Sequence, residues 1–515
     1  MSKLIQPRGE FGATIIDAED KRQVRAYYAC LIAVSVILCL PIWATEYLPL
    51  VDYPNHLARA YVLHYYNDTN AFQTMYALIV EPIPNLAIDI IVPALMWGFT
   101  LETAGKIFLT LTVLLFSYGC HLLGMALHNR PTWLAIICAL FTYNSSFLYG
   151  FVNYQFGLGM FLVTLAVWLR YRHRWNLSSF LGVCGLVLAS YLSHLSAYVF
   201  LGIALCIVTL YDCLTARCGR RQLINAAFGL APLTLPLIAF IIFMRSGGAV
   251  GAIDWNTIQG KFINSLSLIL SYNYRLDAVA ACIIAGVVLM LAVYARCVES
   301  ERAVLLVGGC FAICFLLCPR TLFTSSGADA RFIPAAALMA LLSLKFTVPR
   351  HIGICALSIV LCIALVRWAG IWHMWSAMSH RVSSQVQMFE HLPEGTRVYP
   401  LFFDDWIKEN KTERPFEHSI NYATIYRRAF VPTLFALRGQ QPLIFRDKPF
   451  FQRINHTTPL DEVNWKAIFS GYDYVWCDKL DDKYLQFIAN RCQLIVEADG
   501  FRIYRINANA LESVR

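Results

Sequence analysis

Apolar runs recur from Tyr27 almost to Trp372, broken by short polar punctuation, and many approach the ~20 residues that cross a bilayer as a helix. Read as helices, they predict spans at 27–45, 104–127, 131–148, 152–171, 178–194, 196–215, 222–244, 277–297, 303–319, 330–347 and 351–372, about eleven in all. The run 86–101 is short, holds Asp89 and Pro93 and lacks basic flanks, so it is expected to be an interfacial or re-entrant helix. Beyond Trp375 charges return and runs shorten, the texture of a compact polar domain. There, 396–403 has strand composition, 459–471 looks helical, and 472–477 reads as a buried strand. Asp499-Gly500 between two alternating runs predicts a two-residue hairpin.

The predicted fold is thus a polytopic α-helical membrane protein with a C-terminal α/β domain outside the cytoplasm. Its expected parts are a cytoplasmic tail (1–26), a transmembrane domain (27–372) with outer loops 46–103 and 245–276, and the outer domain (373–515). The second loop is expected to carry a helix lying along the interface. No internal repeat is visible, so a repeat-built transporter draws no support from the sequence.

Composition agrees: 58% of the residues are hydrophobic and 15% charged, where a soluble domain carries roughly 25% charged. The formal charge of +9 does not imply nucleic acid, because the basic residues punctuate the apolar runs at 21–25, 170–174, 217–221 and 296–302. With the N-terminus inside, all four clusters fall on the cytoplasmic side, as the positive-inside rule requires. The first run has no small-residue cleavage site after it and reads as a retained anchor. Most of the 17 cysteines lie within apolar runs as small buried hydrophobes. Only Cys477 and Cys492 stand in the polar tail, where a disulfide is one option.

Ionisable groups at the outer ends of spans are where chemistry is expected. Directly after the first span, Asp52, His56 and Arg59 follow at intervals of four and three residues, which places them on one helical face. Asp52 followed by Pro54 has two readings: an N-cap, or a general base whose carboxyl is lifted toward the working pH. His56 could simply donate to Asp52, and Arg59 could snorkel to lipid phosphate. One carboxylate and one imidazole make a metal site unfavoured. Arg331, opening another span with Asp329 before it and Pro334 after, is either an interfacial arginine or a bidentate phosphate clamp. Asn153, Tyr154 and Gln155 line a sugar site or cap a helix, and His194 at another outer turn is a weaker candidate. The Asp pairs at 404–405 and 481–482 read as solvated turns.

A first span emptying into an acid-led helix, then "EPIPNLAIDIIVPALMWGFTLETAGKIFL" (81–109), "PTWLAIICALFTYNSSFLYGFVNYQFGLGMFLVTLAVWLR" (131–170) and "ARFIPAAALMALL" (330–342), resembles the GT-C class of membrane glycosyltransferases. The likeness is greatest to the protein O-mannosyltransferase and aminoarabinose transferase group. The resemblance implies transfer of a sugar from a polyprenyl-phosphate donor, with inversion, to a glycan, lipid or protein acceptor on the outer face of a bacterial inner membrane. Asp52 would be the catalytic acid-base residue, and Arg331, aided by Arg59 or Lys261, would contact the donor phosphate. The group's acidic pair is Asp52-Tyr53 here, and its second outer acid is replaced by Asn144 and Asn153. No cofactor is therefore expected, a divalent metal being compatible but not favoured. The rival readings are a lipid-linked-sugar flippase using the same charges without transfer, and an assembly protein whose outer domain binds partners.

Overall fold

The computed structural model describes residues 18–511 apart from 80, 216–218, 246–252, 296, 323–324, 403–415 and 455–457. Most of the N-terminal tail, the Asp404–Asp405 pair and parts of two basic clusters (217–221 and 296–302) lie outside the described residues. The membrane part comprises α1 (Ala18–Ala44), α2 (Tyr53–His64), α3 (Ala87–Leu95), α4 (Leu101–His128), α5 (Val152–Tyr171), α6 (Leu177–Ser193), α7 (Leu195–Thr215), α8 (Ile258–Ser265), α9 (Tyr274–Tyr294), α10 (Arg302–Leu317), α11 (Phe332–Ser343) and α12 (Arg350–Met388). It is a multi-pass integral membrane protein. Among the described residues seven helical segments are long and apolar enough to cross a bilayer, and four more are apolar but shorter.

The differences from the expected spans have local causes. The run 131–148 breaks into Trp133–Ala139, a 3-10 turn Leu140–Thr142 and Ser145–Leu148, because Asn144 caps the last piece by accepting from Phe147 N–H. The run 222–244 is interrupted by a 3-10 turn Ala231–Leu233 that contains Pro232. At nine residues, α3 is about 13 Å long, less than half the ~30 Å hydrocarbon thickness. In contrast, α12 runs on through the boundary expected at 372: its 39 residues measure about 58 Å and continue as one rod into the C-terminal domain. Arg367 pins this rod to the bundle, pairing with Asp277 of α9 at 3.2 Å and donating to the carbonyls of Tyr143 and Ile269.

The C-terminal domain holds a four-stranded sheet of β1 (Val398–Phe402), β2 (Tyr474–Asp478), β3 (Cys492–Ala498) and β4 (Phe501–Ile506) in the order β1-β2-β4-β3. β1 runs parallel to β2, and the other pairs are antiparallel. The β3–β4 turn is the expected one, Asp499 and Gly500 both taking positive φ (49° and 84°), which only Gly and Asn/Asp adopt readily. Cys477 and Cys492 are free and buried. With β4 between their strands, their Cα atoms are at least about 9.5 Å apart, beyond disulfide reach, so the bridge is not formed.

This domain does not hang free. Tyr76–Leu78, between α2 and α3, pairs with Leu443–Phe445, and one buried apolar cluster runs from Leu31 and Tyr53 to Trp476 and Tyr504. Apolar contact across this junction sets the C-terminal domain on the mouth of the bundle where α1 ends and α2 begins.

Candidate functional site

The site is built around Asp52. Asp52 occupies the N-cap position of α2, as Pro54 foretells, but with helical angles (φ −84°, ψ −11°) and no side-chain capping bond. A working cap holds extended backbone angles that swing its oxygen over the first turn. The main chain is held all the same: Asp52 O accepts from His56 N–H as the first bond of α2, and Asp52 N–H donates to Tyr149 O at 3.0 Å. The carboxylate is left for other work, although the residue is only 8% exposed.

The close approach that sets this geometry depends on Gly150. Its φ of +90° is glycine territory, and a Cβ there would lie 2.5 Å from Asp52 N. The turn 149–151 therefore presses on Asp52 with one side. Its next residue, Phe151, offers its ring to the Arg331 guanidinium at 5.1 Å, with Tyr154 at 6.0 Å. Tyr154 also donates its hydroxyl to Arg331 O at 2.7 Å. Arg331 Nη1 donates to Ser325 Oγ and Nη2 to Ser326 O, while buried Nε has no partner among the described residues. Asp329 does not neutralise it, being engaged by Lys261, Asn256 and Ala330 N–H. So residues 279 positions apart in sequence flank one turn, close enough for each charge to act on the other, without an ion pair between them.

Burial pushes the Asp52 carboxyl well above the usual carboxylate range, and Glu417 adds to this; Arg331 and Arg59 pull the other way. Such a carboxyl has the proton affinity a general base needs.

On its third side Asp52 meets the C-terminal domain. His418 Nε2 lies 3.5 Å from Asp52 Oδ1. The other ring nitrogen, Nδ1, is 3.2 Å from Asn55 Nδ2, and Asn55 cannot be flipped: Nδ2 also donates to Thr433 O and Oδ1 accepts from Phe435 N–H. His418 is thereby an acceptor at Nδ1 and a donor at Nε2. Burial holds it down at about 4, against the pull of Glu417 and with help from Arg453, so it is neutral at physiological pH. Reading along the chain missed His418 and Glu417, because nothing near 418 resembles a motif and the contact spans 366 residues.

The remaining expected residues sit one step back. His56 does not donate to Asp52; its Nδ1 accepts from Arg59 Nη2 at 3.0 Å, and burial, followed by the Arg59 charge, pushes it well below the usual histidine range. Arg59 does not snorkel: it is 0% exposed and clamps Asp89 of α3 with Nε–Oδ1 2.6 Å and Nη2–Oδ2 2.9 Å. Asn153 holds the start of α3, accepting from Ile88 N–H and donating to Asn85 O. Gln155 is enclosed between Asn144 and Thr142 O. Both amides are bonded to protein groups in this structure. Lys261, expected near the phosphate, binds the carbonyls of Phe315 in the last turn of α10 and of Cys318 just beyond it, and the Asp329 carboxylate. His194 is partly exposed, caps α7 by accepting from Ser196 N–H, and sets its ring edge-on to Tyr154 at 5.6 Å, so it borders the Arg331 side. No group of three or more metal-ligating side chains occurs among the described residues.

No protein-family model and no curated protein matches the chain. Among solved structures, the single-particle cryo-EM structure of arabinofuranosyltransferase AftD from mycobacteria is similar over 93% of this chain and 40% of that one, with 12% identity and a TM-score of 0.48. This chain thus spans well under half the length of that protein.

Proposed function

We propose that the protein is a membrane glycosyltransferase that moves a sugar from a polyprenyl-phosphate donor to a glycan, lipid or protein acceptor at the outer face of a bacterial inner membrane. The observation that carries this reading is the pairing of a buried, uncapped carboxylate with a guanidinium that makes no ion pair among the described residues, one on each side of the Gly150–Phe151 turn. In the reaction the acceptor oxygen attacks the anomeric carbon, its proton passes to Asp52, and the bond from that carbon to the phosphate oxygen breaks. Polyprenyl phosphate leaves with its new charge facing Arg331. A preorganised cation in a water-poor site stabilises that developing charge far better than it would in water. Attack opposite to the leaving phosphate inverts the anomeric centre.

Phe151 and Tyr154 hold the guanidinium plane, and Arg59, His56 and Asn153 hold the helices that carry Asp52. With the N-terminus cytoplasmic, the basic clusters lie inside and the C-terminal domain faces the periplasm. The test is release of polyprenyl phosphate by detergent-purified protein from a panel of synthetic polyprenyl-phosphate hexoses and pentoses, with sugar acceptors supplied. Asp52→Asn is expected to cost at least about 100-fold in kcat with donor binding kept. Arg331→Met is expected to weaken both binding and turnover. Undiminished turnover in Asp52→Asn would remove the base assignment; donor moved across sealed vesicles without any loss of sugar from the lipid would support the flippase instead.

A further inference from the structure

The C-terminal domain contributes more than a cover. A carboxylate acting as a base has two oxygens, four lone-pair directions and a rotatable χ2, so an untethered one spends most of its time misaligned with the acceptor proton. At Asp52 the usual tether, a side-chain bond to the first turn of the helix, is absent. What faces the carboxylate instead is the Nε2–H of His418, at 3.5 Å from Oδ1 and within a small side-chain rotation of a hydrogen bond; its tautomer is set by Asn55 and its ring is wedged by Phe435 at 5.0 Å between centroids. Asn55 is itself fixed by two main-chain groups of the same domain, Thr433 O and Phe435 N–H.

We propose that His418 is the positioning residue of the Asp52 base: it engages Oδ1 from the C-terminal domain and leaves Oδ2 to receive the acceptor's proton. The inference rests on the reading of Asp52 as that base. It makes the relay Asn55–His418–Asp52 a device that assembles only when the C-terminal domain is seated on α2, so the membrane part alone holds an incomplete site. His418 keeps its proton throughout; only Asp52 gains one. The charged and titratable groups around the pair are Glu417 beside His418, Arg453 bonded to Glu417, Arg331 beyond the 149–151 turn, and His56 and Arg59 on α2.

The experiment needs no knowledge of the sugar. Full-length protein in nanodiscs is treated with a water-soluble carbodiimide and glycine ethyl ester across pH 4.5–7.5, and labelling of the Asp52 peptide is followed by mass spectrometry. Carbodiimide attacks the protonated carboxyl, so the pH midpoint reports its ionisation. Removing the donor in His418→Leu should raise the midpoint by about one pH unit, the effect of one hydrogen bond to a charged group, and His418→Gln, which can still present an N–H, should restore most of it. Asn55→Asp should move the midpoint the opposite way, because a carboxylate at 55 draws a second proton onto His418 and places an imidazolium against Asp52. A merely structural loss would not reverse sign between the two variants. In the transfer assay, His418→Leu should lower kcat about 10- to 100-fold and shift the acid limb of the pH profile upward with the labelling midpoint.

Unchanged midpoints in both His418→Leu and Asn55→Asp would overturn the inference while leaving the base reading intact. Shifted midpoints alongside full transfer by Asp52→Asn would do the reverse, confirming the contact and removing the base. If His418→Leu fails to fold, Asn55→Asp and His418→Gln decide the matter by the same labelling.

Discussion

The ion pair between Arg59 and Asp89 allows a prediction with an asymmetry in it. Both side chains are buried and joined by two hydrogen bonds, at 2.6 and 2.9 Å, that tie α2 to α3. Removing one partner of such a pair strands the other in a medium that solvates it poorly, at about 3–5 kcal/mol. The two survivors differ, however. After Arg59→Met, Asp89 can take up a proton, and burial already pushes its carboxyl upward. After Asp89→Asn, Arg59 keeps its charge at any relevant pH, and its Nη1 has no hydrogen-bond partner among the described residues even in the intact protein. Asp89→Asn should therefore fall near the top of that range and Arg59→Met about 1–2 kcal/mol lower. The double variant Arg59→Met/Asp89→Leu should recover most of the loss, because two apolar groups of similar volume need no solvation.

The assay is thermal unfolding in one detergent, read as a double-mutant cycle. For a chain of this size unfolding as a unit, each kcal/mol moves the midpoint by about 1 °C, so about 4–5 °C is expected for Asp89→Asn. Equal losses in the two single variants, or additivity in the double within about 0.5 kcal/mol, would refute the reasoning.

Three further outcomes follow from particular residues. Gly150→Ala must abandon φ +90° or push Asp52 N from 2.5 Å, so it should destabilise by about 1–3 kcal/mol and depress transfer more than donor binding, measured as a split between kcat and KM. Between pH 6.5 and about 4 the unfolded chain binds a proton that folded His418 refuses. Stability contributed by neutral His418 is thus complete above that window and falls by about 3 kcal/mol as the pH drops through it, whereas the raised Asp52 acts in the opposite direction. The difference between wild type and His418→Gln in unfolding midpoint against pH isolates the histidine. On α8, Ile258 is 92% and Phe262 70% exposed, as for a helix lying on lipid, so an environment-sensitive dye at Ile258→Cys in nanodiscs should emit to the blue of the same dye on free cysteine in buffer and be quenched by nitroxide-labelled lipid. A spectrum equal to that of the free dye conjugate, without quenching, would place α8 in water.

Much of the membrane part can be read along the chain, since length and hydropathy alone determine whether a segment can cross a bilayer. The start of α2 at Asp52-Tyr53-Pro54, the shortness of α3 and the Asp499-Gly500 turn are likewise local, each set by side chains within a few residues. Partner choice is another matter. Arg59 and Lys261 both read as cations awaiting phosphate, and what occupies them is Asp89 in one case and Asp329 with two carbonyls in the other. Asn153 and Gln155 read either as sugar ligands or as caps, since amides serve both uses, and which protein groups they bond, Ile88 N–H and Thr142 O among them, is set by elements far along the chain.

By itself, then, the amino-acid order determined that this chain lives in a bilayer, which runs are apolar enough to enter it, and that Asp52 and Arg331 stand at the ends of apolar runs. Hydrophobic length and turn chemistry act over one to twenty residues, so they are written locally. Only the tertiary structure decided that these two charges flank the same glycine turn, that Asp52 is uncapped, and that His418 from the far end of the chain completes its surroundings. Those outcomes depend on packing between segments hundreds of residues apart, where a single glycine or one fixed amide selects among contacts that composition leaves equally open.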